Sequence, residues 1–291
     1  MKARKTIWIV LMVLCSLTLL AVVLGVLNAT VGGGAWRIGW QDYRYEDSGR
    51  YQTGVGTVYE PHIRAIEIDW VKGDVELLLS EDDRYLSISQ ETDEAIAESA
   101  DLRWCVDENG TLRIKFRESG FFFSLGMQSK RLTVRVPVAI AEQLERTSLT
   151  LENGNVTVNA LATNAMNLTC KKGTVTFNEC RIPSLTVSLE SGVLRFTGDC
   201  EEQFVFAGKA AELSLSPTVC PRLVALTTGS GNMNVTLPQD ASFSVSMTTG
   251  KGRVVSEFPL TEVGGKQICG DGACAITVTS EGGELRLTQR P

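Results

Sequence analysis

Chemistry in this chain has few places to come from: eight cysteines, one histidine and 34 carboxylate side chains among 291 residues. The single histidine, His62, excludes every site built on two or more, and its setting in Glu60-Pro61-His62 reads as a turn. A Ser-His-Asp or Cys-His nucleophile would have to use it. Cys15 lies in an apolar run, which leaves seven cysteines elsewhere; Cys180, Cys200 and Cys220 recur every 20 residues. Stacked repeats would bring these three onto adjacent rungs. Zinc sites draw on closely paired C-x-x-C ligands, a spacing this chain lacks. Cys269 and Cys274, across a short glycine-rich loop, are the candidate disulfide. Buried structural thiols, one or two disulfides, and a metal or redox use all stay open for the set.

Two carboxylates suffice for glycoside cleavage when they stand about 5 to 10 Å apart. Glu152, Glu190 and Asp199 would meet that by stacking on successive repeats, though they read the same as ordinary surface charge. Gly250-Lys251-Gly252 lacks the Ser or Thr that follows the lysine of a phosphate loop, and Gly229-Ser230-Gly231 has no third glycine; both read as turns between strands. Glu81-Asp82-Asp83 reads as a solvated turn. No residue is therefore predicted to be catalytic, to bind a cofactor or to ligate a metal, and no cofactor is expected. The formal net charge is −6, and beyond residue 27 there are 25 basic against 34 acidic side chains. Such a body is a poor polyelectrolyte partner for nucleic acid, so none is expected. The least ordinary segment is Ser119-Gly-Phe-Phe-Phe123-Ser-Leu-Gly-Met127, where three consecutive aromatics break strand alternation. Read as exposed, Phe121, Phe122, Phe123, Leu125 and Met127 are candidate contacts for a membrane-protein partner or lipid. Read as buried, they plug an open end of the fold.

The elements that would position these groups follow from the rest of the pattern. Residues 7–27 form a run of 21 without a charge, preceded by Lys2, Arg4 and Lys5. A helix of that length spans the roughly 30 Å hydrocarbon layer. The run exceeds the roughly 7–15 apolar residues of a signal peptide, and Leu27-Asn28-Ala29 lacks the small residue a cleavage site needs. The expectation is one uncleaved N-terminal transmembrane helix, with residues 1–6 in the cytoplasm and the rest outside. Residues 28–60, with Gly32-Gly-Gly34, read as a juxtamembrane linker, and its Trp36, Trp40, Tyr43 and Tyr45 either sit in the interfacial layer or cover one end of the folded body.

Beyond residue 60 the recurring pattern is two alternating strands around a glycine turn. The clearest units carry Gly154, Gly173 and Gly192, 19 residues apart, and the apolar positions Val156, Val175, Leu194, Leu213 and Met233 step by 19, 19, 19 and 20. A fixed period near 20 residues predicts units that stack and bury one face each. Val156/Val158, Val175/Phe177, Leu194/Phe196 and Leu213/Leu215 should point inward, with Thr157, Thr176, Arg195 and Ser214 outward. The predicted fold class is all-β: a stacked β-solenoid resembling a single-stranded β-helix, about seven rungs and roughly 30 Å long. It should fill residues 61–291, irregular over 61–137 and regular over 147–291. Glu284, Arg286 and Arg290 on the last strand would discourage pairing at an open edge. Asn109-Gly110 marks a hairpin turn within Arg103–Phe116, and residues 93–100 read as a helical turn or two.

These residues carry a resemblance. Ile66-Glu-Ile-Asp69 with Gly73-Asp-Val-Glu-Leu77, then Leu132-Thr-Val-Arg-Val-Pro137, then the Gly154, Gly173 and Gly192 units, resemble the bacterial "putative adhesin" family of membrane-anchored β-solenoid proteins. That family is similar to envelope-stress accessory proteins. The resemblance covers residues 60 to 290 in outline and implies an extracytoplasmic β-solenoid at the cell membrane, with no established active site. The function expected is a non-catalytic interaction module, an envelope sensor or scaffold, whose partners are the membrane and a membrane protein. The alternatives are a surface adhesin binding cell-envelope glycans and a polysaccharide hydrolase using stacked carboxylates.

Overall fold

The computed structural model of the chain describes residues 48–81, 84–93, 101–116 and 129–290, which belong to one compact unit. A 3-10 turn at Ser48–Arg50 and a four-residue helix, α1 (Val138–Ala141), are the helical elements among the described residues. All else that is regular is strand. The N-terminal strands are β1 (Gln52–Thr53), β2 (Gly56–Val58), β3 (Ala65–Lys72), β4 (Val75–Ser80), β5 (Leu86–Thr92), β6 (Arg103–Val106), β7 (Thr111–Lys115) and β8 (Lys130–Pro137). The repeats supply β9 (Arg146–Asn153), β10 (Val156–Asn159), β11 (Ala165–Arg181), β12 (Ser184–Asp199), β13 (Gln203–Pro217), β14 (Leu223–Thr228) and β15 (Met233–Leu237). The last are β16 (Phe243–Thr249), β17 (Arg253–Ser256), β18 (Thr261–Val263), β19 (Lys266–Cys269), β20 (Cys274–Ser280) and β21 (Glu284–Gln289).

Each repeat is a rung that crosses two layers of parallel strands, turning a corner between them. β11, β12 and β13 run through that corner as single bent strands, while the other rungs break there into pairs such as β9 and β10. The 19-residue step is the register itself. Leu132, Val75, Val156, Val175, Leu194, Leu213, Met233, Leu285 and Val254 line up as Cα partners across nine rungs. Eight spacings of roughly 4.8 Å make the stack about 38 Å long. Alternation then sets the core: Val156, Val158, Val175, Phe177, Leu194, Phe196, Leu213 and Leu215 are buried, Thr157 and Thr176 half-buried, and Arg195 and Ser214 exposed.

The corner explains the recurring glycine. Gly173 and Gly192 have φ of 156° and 131°, a region that L side chains rarely enter. A Cβ on Gly192 would stand 1.8 Å from the carbonyl oxygen of Gly173, and one on Gly173 would stand 1.7 Å from that of Gly154. Backbone conformation and the closeness of neighbouring rungs select the same residue.

At both ends the rungs leave sequence order. β3 and β4 pair with β9 and β10 on one side and with β7 and β8 on the other. The intervening chain therefore builds outward, adding β6 and β5 antiparallel beyond β7 and β8, then β1 and β2. Gln52–Thr53 and Gly56–Val58, inside the stretch read as linker, thus serve as the sheet's outermost strands. At the other end β20 and β21 slot between the β14–β15 rung and the β16–β17 rung. The final strand is accordingly an interior one, which corrects its reading as a charged edge. Ile276, Val278, Leu285 and Leu287 are all buried, whereas Val254 and Val255 of β17 stay partly exposed. Glu284 instead binds the Arg253 Nε at 2.6 Å on the neighbouring rung, and Arg290 donates to the Pro217 carbonyl at 2.7 Å.

The segment that closes this end is the insertion after β17. β19 pairs antiparallel with β16, β18 lies outside it, and its Thr261, Glu262 and Val263 are exposed. Phe258 packs edge-on against Phe243 at 5.1 Å, closing the core. Short, polar, antiparallel strands leave a poor template for further pairing. The Asn109-Gly110 hairpin forms as expected, with Gly110 at φ 74° and the Asp107 carboxylate accepting from the Asn109 and Thr111 amides at 2.9 Å. Among the described residues no helix is long and apolar enough to cross a membrane. The expected anchor at 7–27 and all but Asp93 of the helical turn expected over 93–100 lie outside the described residues.

Candidate interaction surface

Side chains at alternate positions of the first layer, the strands ahead of the corner, point away from the core. The register sets Thr150, Thr169, Ser188, Ala207, Thr227 and Thr279 in one column and Ser148, Asn167, Thr186, Val205, Ala225 and Thr277 in the next. Neighbours in a column are one strand apart, roughly 4.8 Å. Short side chains keep this face shallow, and hydroxyl groups dominate it. Toward the N-terminal end the same columns become charged. Lys115 Nζ donates to Asp69 Oδ2 at 3.2 Å, and Arg113 reaches Glu67 at 3.5 Å and Asp107 at 3.2 Å. Burial acts to raise the Asp107 carboxyl, but the Thr111 and Asn109 amides and the Arg113 guanidinium together hold it below the usual carboxylate range. Beside them, burial pushes the Tyr51 hydroxyl up to about 12, and the adjoining Cys105 thiol adds to the shift.

Just before the corner, Glu152, Lys171, Glu190 and Lys209 follow one another on consecutive rungs. Lys171 Nζ lies 2.8 Å from Glu152 and Lys209 Nζ 3.3 Å from Glu190. Each glutamate is flanked by a lysine, so attraction rather than repulsion runs along the column. Asp199 accepts from the Thr218 hydroxyl. These carboxylates thus sit in ion pairs and hydrogen bonds. On the second layer, Asn178 Nδ2 donates to Asn159 Oδ1 at 2.8 Å, and Asn155 bridges Asp74 and the Thr174 amide at 3.0 Å each.

All seven described cysteines are free thiols, and five of them are buried: Cys105, Cys170, Cys180, Cys200 and Cys269. Burial pushes Cys170 and Cys180 up to about 11 and Cys200 to about 12. Cys180 lies opposite Gly198 rather than Cys200 and donates to the Val158 carbonyl at 3.3 Å, while Cys200 donates to that of Gln203 at 3.2 Å. A bulge after Phe177 shifts the register and breaks up the expected thiol ladder. The candidate disulfide between Cys269 and Cys274 is also corrected. Both residues pair with Phe243, from opposite sides of β16. Two strand spacings, roughly 9.6 Å, separate them, beyond the reach of a disulfide. Cys274 instead meets Cys220, with its Sγ donating to the Cys220 carbonyl at 3.4 Å. No spacing rule reveals that contact, because it depends on β20 leaving sequence order.

Phe121, Phe122, Phe123, Leu125 and Met127 lie outside the described residues. The flanks of their segment are described, and they sit at the corner. Lys130 is buried, with Nζ 3.1 Å from the Phe116 carbonyl and 4.2 Å from the centre of its ring. Trp70, also buried, packs on Phe116 at 4.9 Å and donates to the Lys130 carbonyl at 3.2 Å. The rung of β7 and β8 therefore carries an insertion where its neighbour has Gly73. His62 and Glu81 are exposed, and Asp82 and Asp83 lie outside the described residues. Among the described residues, no three or more His, Cys, Asp or Glu side chains gather as a metal site.

Comparison with known proteins adds a family. A model of the family described as Toastrack DUF4097 matches residues 63–208, half of the chain. A search of the curated proteins gives no match. One similar solved structure is a "putative cell adhesion protein" from Clostridium sporogenes ATCC 15579, 13% identical, with 82% of this chain and 100% of that one covered and a TM-score of 0.38. Another is a "putative adhesin" from Bacteroides fragilis NCTC 9343, 12% identical, with 84% and 100% covered and a TM-score of 0.35.

Proposed function

The chain belongs to the Toastrack DUF4097 family, and we propose that its stacked body is a non-catalytic interaction module held outside the cytoplasmic membrane by an uncleaved anchor at residues 7–27. In this reading it is a sensor or scaffold at the cell envelope. The observation that carries the reading is the face of the first layer, where Thr150, Thr169, Ser188, Ala207 and Thr227 repeat at the strand spacing. A rigid, shallow, hydroxyl-rich face suits contact spread over several rungs.

The test is photo-crosslinking in intact membranes from a reactive side chain placed at Thr169, which is exposed. Crosslinking to one membrane protein is the expected result. Crosslinks to glycan would replace the scaffold reading with an adhesin, and crosslinks confined to the chain itself would reject this face as the contact surface.

A further inference from the structure

Cys220 and Cys274 are 54 positions apart in sequence, yet the displaced rung brings them together. Leu223 is the register partner of Ala275, and the Ala275 amide donates to the Arg222 carbonyl at 2.9 Å. Just ahead of that pairing the Cys274 Sγ donates to the Cys220 carbonyl oxygen at 3.4 Å, and burial acts with the neighbouring Cys274 thiol to raise the Cys220 thiol. The register carried one step back sets Cys274 beside Arg222, and the contact with the carbonyl two residues earlier brings the Cys274 sulfur against the Cys220 backbone; a disulfide needs the two Cα atoms about 4.4–6.8 Å apart. Both residues are partly exposed, unlike the five buried ones, although burial raises the Cys220 thiol. Among the described cysteines, this pair combines mutual contact with access to an oxidant.

We propose that Cys220 and Cys274 form a disulfide that fastens the displaced rung of β20 and β21 to the rung of β14 and β15. The oxidant is an external disulfide, either a protein dithiol oxidase in its oxidised form or a small disulfide such as oxidised glutathione. One protein thiolate attacks it, forming a mixed disulfide and expelling one external thiolate. The second protein thiolate then attacks the protein sulfur of that bond, the Cys220–Cys274 bond forms, and the second external thiolate leaves. Two electrons pass to the external disulfide, which ends as two thiols carrying the two protein thiol protons. The bond acts at a vulnerable place. β20 and β21 arrive last in the sequence and must insert between rungs made earlier, and their departure would bare the edges of β14 and β15. A cross-link there also closes a long loop in the unfolded chain.

Formation in the cell rests on the extracytoplasmic placement proposed above, where disulfides persist; formation in the tube does not. The purified full chain would be treated with oxidised glutathione while folded, alkylated, digested and read by mass spectrometry. The expected product joins the peptide of Cys220 to that of Cys274. It should survive Cys269→Ser and disappear in Cys220→Ser and in Cys274→Ser. Proteolysis beyond residue 238 should be about tenfold or more slower in the oxidised chain than in Cys220→Ser treated alike. Glutathione adducts on both thiols without a cross-link, or linkage of Cys269 to Cys274, would overturn the pairing. Cross-linking in the tube with reduced thiols in acid-quenched cells would overturn the placement outside the cytoplasm and leave the pairing intact.

Discussion

Replacing Gly192 with alanine tests whether the corner is what makes the repeat glycine-dependent. At φ 131° the backbone lies where non-glycine residues rarely go, a strain of about 1–3 kcal/mol. The added Cβ would also stand 1.8 Å from the Gly173 carbonyl oxygen. That oxygen belongs to a neighbouring rung, so relief requires moving backbone within a ladder paired on both sides. Strain and displacement together predict a loss of at least about 3 kcal/mol, placing the change among severe single substitutions. For a body of this size that lowers the melting temperature by about 6–12 °C. The control is the next rung, where Ala211 is the register partner of Gly192 and is fully buried without positive φ. Ala211→Gly should cost only about 1 kcal/mol, from added freedom of the unfolded chain. Thermal unfolding of the three purified chains, followed by far-ultraviolet circular dichroism, decides the matter. A loss below about 1 kcal/mol for Gly192→Ala, or equal losses for both variants, would refute the corner argument.

Three further outcomes follow from the geometry. Phe196→Ala removes a ring that is 1% exposed and packed at 5.8 Å and 5.6 Å on Phe177 and Phe204; urea unfolding should show a loss of about 3–5 kcal/mol. The thiols of Cys170, Cys180 and Cys200 are pushed up to about 11, 11 and 12 in the fold, above the roughly 8.5 of an unfolded chain. Their protonated forms favour the folded state, so this stability is complete below about pH 8.5 and fades as pH rises through 11 to 12. Urea midpoints measured from pH 8 to pH 11 should fall about as that ionisation requires, and a curve unchanged by Cys→Ala replacements would contradict the assignment. Ser188→Arg, on the shallow face, should change stability by no more than about 0.5 kcal/mol while abolishing the crosslinked partner seen from Thr169.

The regular half of the molecule was readable because its information is local and repeated. The inward positions follow from alternation within a single rung, and the 19-residue step aligns Val156 with Val175 and Leu194. The second layer's polar face was readable for the same reason, since Thr157, Thr176, Arg195 and Ser214 simply occupy the other parity. The cysteines were less legible. Their 20-residue spacing resembled a ladder, yet one bulge after Phe177 sets Cys180 opposite Gly198. The acids share the repeat's legibility: Glu152, Lys171, Glu190 and Lys209 also step by 19, so the alternation of sign lies in the repeat, and the stack adds the ion pairs themselves.

What the chain's order of residues determines alone is the unit: two alternating strands, a glycine corner, one apolar face. What tertiary structure decides is which units become neighbours. Parallel pairing is backbone chemistry, and any rung with the same inward face can satisfy it, so sequence order does not dictate stacking order. The choice falls to competition among distant segments. β20 and β21, with four buried aliphatic side chains, take the interior place, and β16 and β17 go to the end, where β19, β18 and Phe258 cover them. The meeting of Cys220 with Cys274 is a product of that competition, and it exists only in the assembled stack.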